Sequence, residues 1–466
     1  MGSSKQTQNT SHVDAETIGN AIGRFRARTD NVSMMSYCVG SKTATIEHAL
    51  ELVADALTQK QKAELYFHIP VCEKKCGFCH YNSEPQGRHA EETSAEYAQL
   101  LMGESETFAQ RVPQIKEIPL NALYFGGGTP NLMPIPTMEE LFDHIRARFT
   151  VTEETEVTME GRPETWTKEK INAARKMGVN RASMGIQSLD EDILKAIRRH
   201  HTGAEAREAV KRLVGEFPNI NTDLMYGLPG TTTQTRQTID KFVGEVEELI
   251  GMGVPSITLY RLRIDPRQTE GSPLASVRRL FENSPELYPD IGETYEMNMN
   301  ARAFLLSRGF VESPIGLFAK KGSRPKFYWG RWVEGFPLIG FGLGAYSYTE
   351  KVFMKNLGEH HDEIEQYMEA IRRGTIPFGT MKESTDEEFA ARQLVLGLKG
   401  ALEFDVSQMD LDRRDFFGTR VGIAVKKLID EGFLAFDGKA ITFTSMGLLF
   451  SEEILGEIWK SAQNAR

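Results

Sequence analysis

The chain has 466 residues, 40% apolar and 26% charged, enough to bury one large or two ordinary cores, which excludes a disordered or fibrous protein. Its 65 acidic residues outnumber its 55 basic ones, for a formal charge of -10, which argues against a large phosphate-tracking surface and so against nucleic acid as a partner. No run approaches the roughly 18 apolar residues of a membrane span, and the polar opening, residues 1–9, lacks a secretory apolar core, so a cytoplasmic location is expected.

Residues 1–45 carry few periodic apolar positions and read as a tail or irregular cap; a helix is expected from Ile46. Short apolar runs then alternate with longer amphipathic segments. The runs cover 65–69, 122–125, 156–159, 182–186, 223–226 and 257–262, and after the first interval they recur at about 25 to 40 residues, the length of a strand plus a return helix. This predicts an α/β fold, a partial (β/α)6 barrel of TIM type over 46–265. In such a fold ligands lie at the C-terminal strand ends, where the runs open into 126–128 and 227–230, rich in glycine. Segment 266–380 is broken by prolines at 266, 273, 285, 289, 314, 325 and 337 and is expected to cover the mouth.

The sequence Ser384-Thr-Asp-Glu387 has capping-box spacing and predicts the start of a C-terminal α+β domain over 381–466. A helix ending at Gly432, a hairpin over 433–444 turning at Asp437-Gly438, and a last helix over 446–459 follow in an order resembling a winged helix. Acids outnumber bases in this segment, so it reads as a packing or substrate-covering domain rather than a DNA reader.

Three of the four cysteines, Cys72, Cys76 and Cys79, fall within eight residues, in a C-x3-C-x2-C loop where Gly77 allows a turn. Three thiolates can hold one corner of a metal centre. One reading is a structural zinc closed by the adjacent His80. The other is a 4Fe-4S cluster with one iron left open, to which the amino and carboxylate groups of S-adenosylmethionine (SAM) can chelate. Cys38 reads as an isolated thiol rather than a fourth ligand.

Residues 66–79 resemble the radical SAM signature, in the form used by the HemN-like branch around oxygen-independent coproporphyrinogen dehydrogenase. Gly126-Gly-Gly-Thr-Pro130 resembles the branch's SAM-amine motif, and Glu160, in Glu160-Gly-Arg-Pro-Glu164, stands where the family places a ribose-binding carboxylate. Gln187, Arg199 and Asp223 match further SAM-contacting positions, Arg199 as a positive partner for a carboxylate. Taken singly, Glu160, Arg199 and Asp223 are ordinary solvated or paired charges; their order along the strand ends carries the match. The resemblance covers about residues 60–460, including Ile339-Gly-Phe-Gly-Leu-Gly-Ala-Tyr346.

The resemblance implies cluster ligands Cys72, Cys76 and Cys79 and cofactor contacts Tyr66, Phe78, Gly127, Gly128, Thr129, Glu160, Gln187, Arg199 and Asp223. Tyr66, Gly127 and Glu160 would serve a cluster-bound SAM; Gly128, Thr129, Gln187, Arg199 and Asp223 would serve a possible second one. It further implies a 5'-deoxyadenosyl radical, a low-potential electron donor of flavodoxin or ferredoxin type, anaerobic chemistry and a planar ring substrate.

Within the branch, coproporphyrinogen enzymes typically carry a further cysteine two positions past the triad, where this chain has Tyr81. Haem chaperones carry a His-Asn pair before a Tyr-Trp, whereas Arg324-Pro-Lys-Phe327 precedes Tyr328-Trp329 here. By elimination the expectation is a class C-type methyltransferase acting on an sp2 carbon of a tetrapyrrole, quinone or other heteroaromatic. Propionate decarboxylation and haem binding without turnover are the alternatives. The aromatics Phe327, Tyr328, Trp329 and Trp332 read either as a stacking surface for a flat ring or as core. Arg198-Arg-His-His201 reads as an anion contact or as a solvated run around Arg199, and His360-His361 as an exposed helix start.

Overall fold

The computed structural model describes residues 15–25, 39–79, 83–264, 274–358, 363–409 and 416–463. Cys38, His80, Tyr81 and His360-His361 lie outside the described residues. Six parallel strands pair in chain order: β1 (Ala63–Ile69), β2 (Leu120–Gly127), β3 (Glu156–Gly161), β4 (Arg181–Gln187), β5 (Asn219–Tyr226) and β6 (Ser256–Arg261). Each contains an apolar run read from the sequence. Helices return the chain between most of them, among them Ala90–Arg111, Ile135–Arg146, Lys168–Lys176, Gly203–Val214 and Ile239–Gly251. Leu65, Phe67 and Ile69 of β1 and Leu123 and Phe125 of β2 are buried against these helices in the main core, as alternation along a strand requires.

The opposite face is polar: Glu64, Tyr66 and His68 on β1, Tyr124 on β2, Glu160 on β3, Arg181 and Ser183 on β4, Asn221 and Asp223 on β5, Thr258 and Tyr260 on β6. Two hydrogen bonds on this face skip β5 altogether, from Arg181 Nη2 to Ser256 Oγ at 3.2 Å and from the Tyr260 hydroxyl to Gln187 Oε1. Side chains can bridge alternate strands only if the sheet curves toward them, so the polar face is the inside of a partial barrel.

Segment 266–380 does more than cover the mouth, and that expectation is corrected. Leu317–Ala319 (β7) pairs antiparallel with β6, and Leu338–Phe341 (β8) joins β1 in parallel, followed by Tyr346–Tyr348 (β9), Val352–Asn356 (β10) and Phe378–Glu383 (β11). The prolines punctuate the segment, but β8 is buried throughout and completes the sheet beyond β1.

A second core gathers the C-terminal helices Asp386–Ala401, Arg420–Asp430 and Ser451–Gln463 around a three-stranded antiparallel sheet of β12 (Glu403–Asp405), β13 (Leu434–Phe436) and β14 (Ala440–Phe443). This is the winged-helix-like order. The capping box lies one residue later than read, with Thr385 as N-cap and Glu388 returning to it, and the last helix is broken at Phe450. Residues 15–25 also correct the sequence reading: Ala15–Phe25 is a helix whose Ile18, Ala21 and Phe25 enter this C-terminal core. Among the described residues no helix is long and apolar enough to cross a membrane.

Candidate functional site

The cysteine loop leaves the end of β1 and is held from three sides. The Gly128 amide donates to Ile69 O at 2.7 Å and the Thr129 amide to Val71 O at 2.9 Å, so the glycine triplet after β2 splints the approach to Cys72. A Cβ on Gly128 would stand 2.6 Å from Val71 O and 2.7 Å from Pro70 O, so only glycine lets the two backbones meet. The Gly77 amide donates to Ile197 O at 3.1 Å, tying the loop to the segment after β4. Arg162 bonds Glu73 at 2.8 Å and anchors it to the end of β3.

None of the three cysteines forms a disulfide, and Cys72 and Cys76 are buried. Thr129 Oγ1 lies 3.4 Å from Cys72 Sγ, and Arg199 donates from Nη1 to Cys76 Sγ at 3.1 Å while its other terminal nitrogen bonds Gly185 O. The Arg199 guanidinium lies 5.9 Å from the Phe78 ring, and its buried Nε has no hydrogen-bond partner among the described residues. Burial pushes the Cys72 thiol up, opposed by the Thr129 contact and then by the Arg162 charge.

This donor set fits an anionic, thiolate-held group: three cysteine sulfurs outside any disulfide, a guanidinium already bonded to one of them and, beside it, an N–H without a partner among the described residues. Among the described residues no group of three His, Cys, Asp or Glu side chains is already placed as a metal site, and His80, the fourth ligand of the zinc reading, lies outside them.

Two polar sets flank the loop inside the barrel. In the first, the Tyr124 hydroxyl donates to Glu160 Oε1 at 2.6 Å and the Gly127 amide to Oε2 at 3.2 Å, with the Tyr66 hydroxyl 2.9 Å from His68 Nδ1. Burial pushes the Glu160 carboxyl up to about 7, the Tyr124 bond opposing and the Asp223 charge adding to the rise. In the second, Gln187 sits at φ 74 on a bulge of β4 and accepts from Tyr260, while Asn221 Nδ2 donates to Asp223 Oδ1 at 2.8 Å. Burial pushes Asp223 up to about 6, against the bonds from Thr258 and Asn221. Of the residues expected at a second SAM, Gly128, Thr129 and Arg199 contact the cysteine loop, whereas Gln187 and Asp223 hydrogen-bond to Tyr260 and Asn221.

The aromatic string resolves largely into core. Phe327 and Trp332 are buried, and Phe327 stacks on Tyr124 at 4.5 Å. The Arg331 guanidinium lies over Phe327, Tyr328 and Trp332 at 4.3, 4.8 and 4.7 Å. This plug closes the β1–β2 side of the interior, so Tyr328, which is half-buried against Tyr124, is the member left facing the site. The run at 198–201 does not converge as an anion contact: Arg198 is exposed, whereas His201 is buried with Nε2 3.1 Å from Ile186 O, and burial pushes it down to about 3.

Sequence reading missed Tyr124, Tyr260, Arg162 and Glu245. Glu245, buried on the helix Ile239–Gly251, accepts from the Leu189 amide at 2.7 Å, the Asp190 amide at 3.1 Å and the Ser188 hydroxyl, and so fixes the turn after Gln187. A polar residue alternating within an apolar strand was the available signal for Tyr124 and Tyr260. Glu245 offered none, because its partners are 55–57 residues away.

Comparison with known proteins places these features in context. The family description "Radical SAM superfamily" matches residues 66–243. The chain is 30% identical over 284 residues to the heme chaperone HemW of Escherichia coli, covering 61% of this chain and 69% of that one. It is 26% identical over 427 residues to an oxygen-independent coproporphyrinogen III oxidase of Pseudomonas aeruginosa, covering 86% of each. The solved structure of coproporphyrinogen III oxidase (HemN) from Escherichia coli shares the fold with a TM-score of 0.72 at 21% identity, over 88% of this chain and 93% of that one.

Proposed function

Because this chain belongs to the radical SAM superfamily, in its HemN-like branch, we propose that Cys72, Cys76 and Cys79 hold its 4Fe-4S cluster and that the two polar sets inside the barrel hold SAM. The observation that carries this reading is the set of three cysteines on one loop, none in a disulfide, backed by Thr129 and by the half-buried Arg199. When bound, the cluster supplies the electron that splits SAM into methionine and a 5'-deoxyadenosyl radical able to take a hydrogen atom from substrate.

The chain's own residues bind and enclose. The Gly127 amide holds Glu160 Oε2 and Gly128 lets the cysteine loop close on the end of β2, and the Glu160 carboxyl accepts from a ribose diol most strongly in its ionised form. Arg199 offers its unpartnered Nε to an anionic group. Phe327, Tyr124 and the Arg331-capped aromatics form a dry floor that keeps water from the radical.

The relatives' names connect two of them with tetrapyrroles, and a flat macrocycle is the substrate class proposed here. The finer reading is methyl transfer to an sp2 carbon. It is supported by two acceptors on one interior face, Glu160 and Asp223, available to two SAM molecules, and by Tyr81 and Arg324-Pro325 standing where the other two subgroups carry their own signatures. Tetrapyrrole binding without turnover is the second reading, favoured by the name of the 30% identical relative.

Anaerobic incubation with SAM, reductant and haem, coproporphyrinogen or menaquinone separates the three. Methyl transfer yields 5'-deoxyadenosine and S-adenosylhomocysteine together with a product one methyl group heavier. Carbon dioxide without S-adenosylhomocysteine indicates decarboxylation. Tight haem binding with no substrate-dependent SAM consumption indicates a chaperone.

A further inference from the structure

The last parallel strand is held unevenly along its length. β6 pairs with β5 from Ser256 to Arg261, but on its other side β7 meets only residues 256–258, and the Leu259 amide donates to Gly316 O at 2.7 Å. From Tyr260 onward the strand has a sheet neighbour on one side alone among the described residues. This end carries two engaged side chains on opposite faces, as alternation along a strand dictates. Tyr260 faces the interior and donates to Gln187, which holds φ 74 on its bulge. Arg261 faces outward and meets the C-terminal domain.

Arg261 Nη2 donates to Oε1 of Glu453, in the first turn of the helix Ser451–Gln463, at 2.9 Å, and its Nη1 donates to the Tyr295 hydroxyl on the helix Ile291–Ser307. The pair is enclosed, with 14% of the Arg261 side chain and 5% of that of Glu453 exposed. Arg263 repeats the link to Glu452. The Tyr295 ring lies 4.6 Å from that of Phe450, itself 5.4 Å from that of Phe25, so the C-terminal core and the N-terminal helix stand behind the contact. An ion pair closed off from water adds little net stability over apolar packing of the same shape, but it fixes geometry. Stability alone does not call for charge here.

We propose that Glu453 is a positioning residue: through Arg261 it sets the one-sided end of β6 and so seats Tyr260 against Gln187, which makes the C-terminal domain part of the cofactor site's support. This rests on the reading of Gln187 as a SAM contact and adds what orients that side chain. Glu453 lies outside the barrel and acts only through β6.

The test uses the full chain, reconstituted anaerobically, with SAM itself as the probe. SAM affinity is measured by calorimetric titration well below the melting temperature, which is recorded separately, for Glu453→Met, Glu453→Gln, Tyr260→Phe and each Glu453 variant combined with Tyr260→Phe. Glu453→Met and Tyr260→Phe should each weaken SAM binding about fivefold to tenfold, the range of one hydrogen bond. Combined, they should lose no more than about twofold beyond either alone, because both act through one contact. Glu453→Gln keeps an acceptor for Arg261 and should recover part of the affinity; it carries the same comparison if Glu453→Met does not fold. A lower melting temperature with the parent's SAM affinity in the Glu453 variants would overturn the proposal and leave a merely structural link. Losses that multiply in the combined variants, or a Tyr260→Phe chain that binds SAM like the parent, would overturn it too. A parent chain that carries its cluster yet binds no SAM would overturn the SAM reading, and the proposal with it.

Discussion

Arg199 and Cys76 lie 123 residues apart in sequence, yet the guanidinium of one donates to the sulfur of the other at 3.1 Å. The contact joins the segment after β4 to the loop after β1, and it puts positive charge on a sulfur that the proposed function uses as a ligand. Partners of metal ligands typically alter metal affinity about 10- to 100-fold when removed. Arg199→Gln is expected to lose iron to a chelator faster by that order and to lower the cluster's midpoint potential, with Arg199→Lys between it and the parent. Iron release and a redox titration followed by electron paramagnetic resonance check both.

Glu160 and Asp223 give the site a pH dependence. Both carboxyls are raised by burial, to about 7 and about 6. On the folded chain their ionisation is disfavoured, so the stability they contribute is complete below the ordinary carboxyl range and is lost as pH rises through about 6 and about 7. Binding runs the other way, because diol hydroxyls donate more strongly to the ionised carboxylate. SAM affinity should therefore rise as pH passes about 7, while the thermal stability of the ligand-free chain falls. Glu160→Gln should bind SAM about tenfold to a hundredfold more weakly, as for a lost hydrogen bond to a charged group, and flatten the pH profile. Calorimetric titration across this range decides it.

Gly128→Ala tests the splint between β2 and the cysteine loop. The added Cβ meets two backbone carbonyl oxygens at 2.6 and 2.7 Å, which cannot rotate away. Lower iron uptake and a lower melting temperature are expected. Gly215→Ala, where nothing lies within 4 Å of the new carbon, should leave iron uptake as it was.

Phe25 binds the N-terminal helix to the C-terminal core, its ring 4.8 Å from that of Phe433 and 5.4 Å from that of Phe450. Phe25→Ala should destabilise this core by about 3 to 5 kcal/mol, as for other large buried aromatics. Denaturant melts and proteolysis of the C-terminal segment would register the loss.

The six parallel strands were legible because one face of each buries apolar residues against the return helices, and the resulting short runs recur at the length of a strand plus a helix. The cysteine loop and the glycine triplet were legible because their spacing is local in sequence, whereas Glu160 was singled out only by the family resemblance. What escaped is long-range. The helix Ala15–Phe25 has three core positions, Ile18, Ala21 and Phe25, too few to stand out in a polar opening. The aromatic string could be assigned to core only once Tyr124 was seen to stack on Phe327 across 203 positions of chain. Thr129 and Arg199 were found by motif, but that they face Cys72 and Cys76 depends on how three separate strand ends meet.

The central claim is tested most directly by counting iron and acid-labile sulfide in anaerobically reconstituted protein and recording the electron paramagnetic resonance spectrum of the reduced form with and without SAM. Four irons and four sulfides per chain, a spectrum that changes when SAM is added, and loss of both in Cys76→Ala on a folded chain are the expected results. A single zinc per chain, or iron retained unchanged in Cys76→Ala, would contradict the account.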